Sequence, residues 1–226
     1  MTTFSFPIRK NLRRAWDLFA AHYLYFGAFA LVMVLCNVLT QRHGGLITQL
    51  LVIIVSTIWG YVGISSALAA VEGKPALLKF DSLSLHFPTL KRFFLLIGLS
   101  IATSVFVLAG FIMLILPGIY FLVRLSLAQF SFVDRGEGIV PSMKHSWVLV
   151  KGDRFWTGLL VLVVAGAVVI AGVILFGIGV LVAYPVALIF LALFYKTLES
   201  AYAHDSAAVP QPAEIAPTEE PKEKEE

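Results

Sequence analysis

Charged residues are scarce in this chain. They make up 14% of its 226 residues, whereas hydrophobic residues make up 59%. Soluble domains contain about 25% charged residues, so the composition excludes an ordinary soluble fold. It also excludes disorder of the whole chain, because disordered chains are poor in hydrophobic residues. The long hydrophobic runs instead predict an all-α integral membrane protein.

Residue patterns typical of disulfides, metal sites or catalytic sites are equally scarce. Cys36 is the only cysteine, which excludes an internal disulfide, and the five histidines show no metal-binding spacing. The chain has no serine-centred elbow, no HExxH motif, no phosphate-binding glycine loop and no pair of carboxylates in a hydrophobic run. No basic stretch is interleaved with aromatic residues on a soluble module. We therefore expect a protein that is not an enzyme, holds no cofactor or metal, and binds no nucleic acid.

Six hydrophobic runs approach the roughly 20 residues that a spanning helix needs. They cover residues 23–39, 46–71, 93–116, 119–133, 155–176 and 180–198. Glycine and proline between the runs predict helical hairpins with turns at Gly44-Gly45, Pro117-Gly118 and Gly177 with Gly179. The fourth run is short, and is either a tilted, extended span or a re-entrant segment. Pro185 predicts a kink in the last span.

The basic residues predict the orientation of these spans. With the N-terminus in the cytoplasm, the cytoplasmic segments hold 15 of the 17 Lys and Arg residues, and the external turns hold only Arg42. This asymmetry is typical of six spans with both termini in the cytoplasm. A re-entrant fourth run would instead place the basic residues of 134–154 outside, against the same rule.

Two further divisions of the chain are predicted. Residues 1–202 form the membrane domain, and the acidic, Pro-, Glu- and Ala-rich residues 203–226 form a disordered cytoplasmic tail. An aromatic residue precedes a glycine by eleven residues at three places: Trp16 and Gly27, Phe87 and Gly98, and Trp147 and Gly158. This spacing predicts three units, each an interfacial helix followed by a hairpin, over residues 5–72, 80–134 and 141–200. The alternative is chance agreement, since glycines and aromatics are common here.

Basic and aromatic residues near the ends of the spans are expected at the membrane interface, beside anionic lipid headgroups. Near the N-terminus they belong to a basic amphipathic helix on which Leu12, Trp16 and Phe19 share one side. The loop from Asp134 to Trp156 is either a lipid-contacting helix or an ordinary interfacial anchor. The residues assigned to the interface are Arg13, Arg14, Trp16, Lys91, Arg92, Lys144, Trp147, Lys151, Arg154 and Trp156.

Arg124 lies within the fourth run, about 9 Å from its outer end, and is the one basic residue assigned to neither face of the membrane. A charge at this depth costs at least about 2.5–3.5 kcal/mol unless it is paired or hydrated. Arg124 is therefore expected to face the bundle interior or a wet cavity. In one interpretation Arg124 and Gln129 bind an anion, such as a lipid phosphate or a carboxylate. In the other, Arg124 is a structural clamp on backbone carbonyls or on an acidic side chain such as Asp134 or Glu199.

Other polar residues also lie at membrane depth. They either bond to neighbouring helices or their own backbone, or they line a polar path. The residues in question are Asn37, Gln49, Ser56, Thr57, Ser100, Thr103 and Ser104.

One set of motifs resembles a known family. The motifs are Pro117-Gly118-Ile119-Tyr120-Phe121-Leu122-Val123-Arg124, Asp134-Arg135-Gly136-Glu137-Gly138, Ser146-Trp147, Lys151-Gly152 and Phe155-Trp156. They resemble the multi-pass membrane domain attached to some bacterial glycerophosphodiester phosphodiesterases, and related bacterial inner-membrane families of unknown function. The resemblance implies a helical inner-membrane domain linked to lipid or envelope metabolism. It does not imply phosphodiesterase activity, because the chain contains no phosphodiesterase domain.

Two functional hypotheses result. The first is a protein that handles or transports a lipid or another anionic amphiphile, with membrane lipids as its partners. The second is a membrane scaffold or accessory subunit that binds a protein partner through its cytoplasmic interfacial helices and tail.

Overall fold

The computed structural model describes residues 6–42, 45–74, 88–174 and 179–207, and every regular element in these ranges is an α-helix. The prediction of an all-helical fold is confirmed for this part of the chain. The helices are α1 (Ile8–Ala21), α2 (Tyr23–Arg42), α3 (Leu46–Val71), α4 (Leu90–Met113), α5 (Ile115–Leu125), α6 (Ala128–Arg135), α7 (Ile139–Leu149), α8 (Arg154–Ile174) and α9 (Val180–Ala207).

Five segments within the described ranges are long and apolar enough to cross a membrane. They are Val52–Val71, Leu90–Met113, Ile115–Arg135, Arg154–Ile174 and Val180–Asp205. Helix α1 and the part of α2 up to Leu35 pass the same test only as a pair, and this pair is bent by 92°. The described residues therefore contain five helices of spanning length, or six if the bent pair is one span, which is compatible with a multi-pass membrane protein.

The fourth predicted run is longer than its sequence limits of 119–133 suggested. Helices α5 and α6, interrupted only at Ser126 and Leu127, together form the segment Ile115–Arg135 of 21 residues. This is enough to span a bilayer core of about 30 Å. The shorter limit came from assigning Pro117 and Gly118 to the turn before the run.

That assignment of Pro117 and Gly118 to the turn is wrong. The break between α4 and α5 is at Leu114, whose backbone is extended at φ −172° and ψ 159°. Pro117 is the third residue of α5, where its missing N–H removes no helical hydrogen bond. Gly118 instead permits close contact between the helices. A Cβ added at Gly118 would lie 2.5 Å from the ring of Phe111, and one at Gly110 would lie 2.9 Å from the Cα of Gly118.

The turn between α8 and α9 is where the sequence predicted it, between Ile174 and Val180. Gly179 lies at its end, and Gly177 lies outside the described residues. Here too glycine allows close approach, since a Cβ added at Gly172 would lie 2.8 Å from the carbonyl oxygen of Gly179. Helix α9 continues through Pro185.

The hydrophobic core is centred on α9. Its side chains Ile189, Phe190, Phe194, Tyr195 and Leu198 are at most 1% exposed, and α9 packs against α1, α2, α3 and α8. In the 18-residue stretch of highest hydropathy, 56% of α9 is buried inside the protein. The corresponding share is 22% in α4 and 22% in α8. Helix α9 is therefore central, while α4 and α8 present most of their surface to the surroundings.

Helix α1 packs against this core. Ala15 and Phe19 are buried, and Phe6, just before α1, contacts Phe194 with ring centroids 5.1 Å apart. Trp16, expected on the same apolar side as Phe19, remains 52% exposed. The basic amphipathic helix is therefore held by protein contacts along one side and is not attached through lipid alone.

Helix α9 corrects the boundary of the predicted disordered tail. It extends to Ala207, so residues 203–207 are helical, and residues 208–226 lie outside the described part. The three predicted units stay a prediction. An interfacial-type helix precedes a helix pair in α1–α3 and in α7–α9, but residues 75–87, which hold the corresponding part of the middle unit, lie outside the described residues.

Candidate functional site

Arg124 is buried, with 8% of its surface exposed. Its guanidinium carbon lies 5.1 Å from the ring centroid of Tyr120, one turn earlier in α5, and 4.9 Å from that of Trp147 in α7. Aromatic faces stabilise a cation, and more strongly when water is excluded. The two rings thus provide part of the environment that a charge at membrane depth requires.

Hydrogen bonds in both directions join Arg124 to α7. Its Nη1 donates to the carbonyl oxygen of Trp147 at 2.6 Å, and the hydroxyl of Ser146 donates to the carbonyl oxygen of Arg124 at 2.7 Å. Nε of Arg124 is buried and has no hydrogen-bond partner among the described residues. We refer to Arg124, Ser146 and Trp147 as the α5–α7 clamp. This geometry favours the structural interpretation of Arg124, through a backbone carbonyl.

The acidic side chains suggested as partners of Arg124 bind another cation. Lys196 Nζ lies 2.6 Å from carboxylate oxygens of both Asp134 and Glu72, and 3.6 Å from one of Glu199. The hydroxyl of Tyr195 donates to Asp134 at 3.0 Å. This Lys196 cluster joins the end of α3 to α6 and α9. The sequence assigned Lys196 only to the cytoplasmic charge and did not predict the cluster.

Glu72 shows the electrostatic effect of the Lys196 cluster outside the spans. Its partial burial acts to raise the pKa of the carboxyl group, but hydrogen bonds from Lys196 and Lys74 outweigh this effect. The net result is a pKa below the ordinary value of 4.5. Glu72 therefore favours the folded state above its unfolded pKa, and this contribution is lost as the pH falls through the folded pKa.

His145 in α7 is the second perturbed group outside the spans. Its ring meets that of Tyr202 in α9 at a centroid distance of 5.9 Å, and its Nε2 is buried without a hydrogen-bond partner among the described residues. Burial lowers the pKa of His145, and the charge of Arg135 lowers it further, against the opposing effects of Glu137 and Asp134. The surroundings of His145 therefore disfavour its protonated form.

Two polar cavities lie between α3, α4 and the α5–α6 segment, and Gln129 lines both. The Thr103 cavity, about 280 Å³, has Thr103, Ser104 and Ser126 as its other polar residues. The Thr57 cavity, about 200 Å³, has Ser56, Thr57 and Ser100. We refer to the two together as the polar cleft. The structure thus brings together five of the polar residues that the sequence placed at membrane depth, and adds Ser126 and Gln129.

The polar cleft lies well inside the helices that are long and apolar enough to span a membrane. Ser100 and Thr103 follow Arg92, near the start of α4, by eight and eleven residues. At 1.5 Å per residue these positions are about 12 Å and 16 Å along the helix. Gln129 Nε2 donates to Ser100 Oγ at 3.4 Å, which is long for a hydrogen bond. Gln49 is exposed and lines neither cavity, and the side chain of Asn37 lies outside the described residues.

Arg124 does not line either cavity of the polar cleft. The sequence hypothesis grouped Arg124 with Gln129 as a pair of ligand-binding residues. The structure separates them: the guanidinium of Arg124 contacts α7, whereas Gln129 faces α3 and α4. Gln129 alone of the two is placed to contact a molecule in the cleft.

Most residues assigned to the membrane interface are exposed, including Arg92, and three of the ten have protein partners. The side chains of Arg13, Arg14, Trp16, Lys91, Lys144, Lys151 and Trp156 are exposed. Three others have partners within the protein that the sequence did not reveal. Arg92 donates to the hydroxyl of Tyr61 at 3.2 Å, Arg154 forms an ion pair with Asp205, and Trp147 belongs to the α5–α7 clamp.

Comparison with protein-family models, with curated proteins and with solved structures gives no match for this chain. The resemblance to the phosphodiesterase-associated membrane domain therefore stays a prediction from its motifs.

Proposed function

We propose that the chain is a non-enzymatic, multi-pass protein of the bacterial inner membrane that holds the polar head of a lipid or similar amphiphile in the polar cleft. The observation that carries the proposal is the position of Gln129 between two cavities lined by hydroxyl groups, about 12–16 Å along α4 from Arg92. Polar groups at membrane depth are costly unless they find partners. A lipid head supplies such partners.

A lipid can reach the cleft from the side. Ser104 and Leu122 line the Thr103 cavity and are exposed on the outer surface of α4 and α5. Helix α4 is also one of the least buried spans. An amphiphile can therefore place its head among the hydroxyl groups while its chains stay in the bilayer.

The charge distribution supports an orientation with both termini in the cytoplasm, in agreement with the positive-inside rule. In that orientation the exposed residues Arg13, Arg14, Lys91, Lys144 and Lys151 face the anionic headgroups of the inner leaflet. The placement in a bacterial inner membrane is supported by the resemblance of the motifs. The alternative, a scaffold for a protein partner, depends in part on the tail at 208–226, which lies outside the described residues.

Photo-crosslinking tests the proposal. The protein is reconstituted in phosphatidylcholine nanodiscs that contain a lipid probe with a diazirine near its head, a phospholipid in one sample and a diacylglycerol in another, then irradiated and digested. We expect labelling of the segments 96–107 and 122–129 above that of the outer face of α8, where exposed Val163, Ile170 and Val173 report ordinary lipid contact. Ser104→Phe places a ring in the Thr103 cavity and should remove the excess labelling.

Val105→Phe is the matched control. Val105 is the next residue of α4, is 58% exposed and lines neither cavity, so the same ring added there should leave the excess labelling unchanged. Equal labelling of the cleft and of α8 by both probes in the unmodified protein would refute the proposal. Equal loss of cleft labelling in both variants would do the same, because the effect would then not depend on filling the cavity.

A further inference from the structure

The hydroxyl groups that line the polar cleft offer a ligand mainly hydrogen-bond acceptors. Four of them donate their proton to a carbonyl oxygen of their own helix. These bonds are Ser56 to Ile53 at 3.1 Å, Thr57 to Ile53 at 2.7 Å, Thr103 to Leu99 at 2.9 Å and Ser126 to Val123 at 2.8 Å. A hydroxyl group has one proton and two lone pairs, so the oxygen lone pairs remain available to a ligand.

Gln129 adds both kinds of group. Its amide has two N–H donors and a carbonyl oxygen with two lone pairs. One N–H forms the long bond to Ser100, and the carbonyl oxygen accepts no hydrogen bond within the described ranges. The lining as a whole therefore offers more acceptors than donors. Its available donors are the second N–H of Gln129 and the hydroxyl groups of Ser100 and Ser104.

No charged side chain from the described residues lines either cavity. An ionised phosphate or carboxylate carries only acceptors at its charged oxygens, so it would face mostly other acceptors and lack a cation. Arg124, the cation at similar depth, lines neither cavity. An ammonium group would find acceptors but no counter-charge, which is costly at membrane depth.

We infer that the polar cleft selects an uncharged lipid whose head carries a free hydroxyl group, such as a diacylglycerol; this inference rests on the proposed function. The hydroxyl proton binds an oxygen of the acceptor-rich wall, and the hydroxyl oxygen accepts from the N–H of Gln129. The head needs no counter-ion. The apolar residues of the cleft, such as Leu122 and Leu125, contact the first carbons of the chains.

Competition between three lipids tests the inference. The full-length protein in phosphatidylcholine nanodiscs is labelled with a diacylglycerol that carries a diazirine in one chain, and unlabelled lipid is added. Dioleoylglycerol should compete for labelling of the cleft. Its 3-acetyl ester, in which an acetyl group replaces the hydroxyl proton, should need a concentration about 3- to 20-fold higher, the effect of one hydrogen bond in a membrane. Dioleoylphosphatidic acid should compete no better than the ester.

Gln129→Leu should reduce the concentration ratio between the ester and dioleoylglycerol to near one. Gln49→Leu is the matched control, since Gln49 is exposed and lines neither cavity, and should keep the ratio. Thr103→Val is a second test that keeps the side-chain shape and removes one acceptor, and it should also lower the ratio. Elution as a single species in detergent verifies that each variant is folded.

The outcomes separate the two proposals. If phospholipid and diacylglycerol probes both fail to label the cleft above α8, the proposed function itself is wrong. If the cleft is labelled but the ester or phosphatidic acid competes as well as dioleoylglycerol, the proposed function stands and the selection of a hydroxyl-bearing head is wrong. An unchanged ratio in both Gln129→Leu and Thr103→Val also overturns the inference.

Discussion

Replacing Arg124 by methionine tests whether the α5–α7 clamp stabilises the fold. Methionine keeps a long, flexible side chain but removes the hydrogen bond to Trp147 and the contacts with two aromatic rings. A hydrogen bond from a charged group contributes about 1.5–3 kcal/mol. A cation on aromatic faces adds about 0.5–2 kcal/mol. Arg124→Met should therefore destabilise the folded protein by about 2–5 kcal/mol.

A second effect acts in the opposite direction. Removing a charge from the centre of a span relieves an insertion cost of about 2.5–3.5 kcal/mol. In a membrane protein, however, the helices remain inserted when their packing is lost, so the unfolded state bears this cost as well. Arg124→Met should therefore insert at least as efficiently as the unmodified protein and still lose its helix packing more easily.

Reversible unfolding in bicelles with increasing SDS measures the free energy in question. Arg14→Met is the matched control, because Arg14 is exposed on α1, and it should stay within about 0.5 kcal/mol of the unmodified protein. Ser146→Ala removes the other bond of the clamp and should cost about 0.5–1.5 kcal/mol. A free energy for Arg124→Met within 0.5 kcal/mol of the unmodified value refutes the clamp. Loss of cleft labelling without loss of stability would assign Arg124 to ligand contact instead.

Two further predictions concern His145 and the orientation of the chain. The folded protein holds the pKa of His145 below 6.5, so the unfolded state binds the proton more readily and stability should fall as the pH drops below about 6.5. His145→Phe should remove this pH dependence of the unfolding free energy. The separate loss of stability below about pH 4.5, caused by Glu72, should remain. An unchanged slope near pH 6 in the variant would contradict the assignment to His145. The orientation is tested with cysteines introduced at Gly45 and Gly138 in a chain whose Cys36 is replaced by serine. The two cysteines should react with an impermeant thiol reagent from opposite faces of sealed inner-membrane vesicles. Reaction of both from one face would exclude the six-span topology.

Much of the fold was predictable from local properties of the sequence. Hydrophobic runs of sufficient length become helices because a bilayer offers no partner for backbone N–H and C=O groups. The runs beginning at Leu46 and Phe93 correspond directly to α3 and α4. The main error was the assignment of Pro117 and Gly118 to a turn. Glycine and proline each occur in two structural contexts that the local sequence does not distinguish. Proline fits both a turn and a first helical turn, and glycine fits both a turn and a close helix contact.

The candidate site was predictable only as a set of residue types. The sequence identified Ser56, Thr57, Ser100, Thr103 and Ser104 as polar groups at membrane depth, and left open whether they serve their own helices or line a path. The structure shows hydroxyl groups of this set doing both, as Thr57 and Thr103 donate to their own helices and also line the cleft. Gln129 connects the two cavities because α6 packs near α3 and α4.

The sequence by itself determined that the chain folds into helices long and apolar enough for a multi-pass membrane protein, because the length of each hydrophobic run and the scarcity of charge are properties of consecutive residues. Only the tertiary structure decided the partners of its few buried polar groups. Arg124 binds a backbone carbonyl, and because every residue has one, the sequence does not identify this partner. Lys196 binds the carboxylate of Asp134, 62 positions earlier in α6, and that of Glu72 at the end of α3. Such pairings depend on which helix faces meet across the bundle, and that is a property of packing among distant segments.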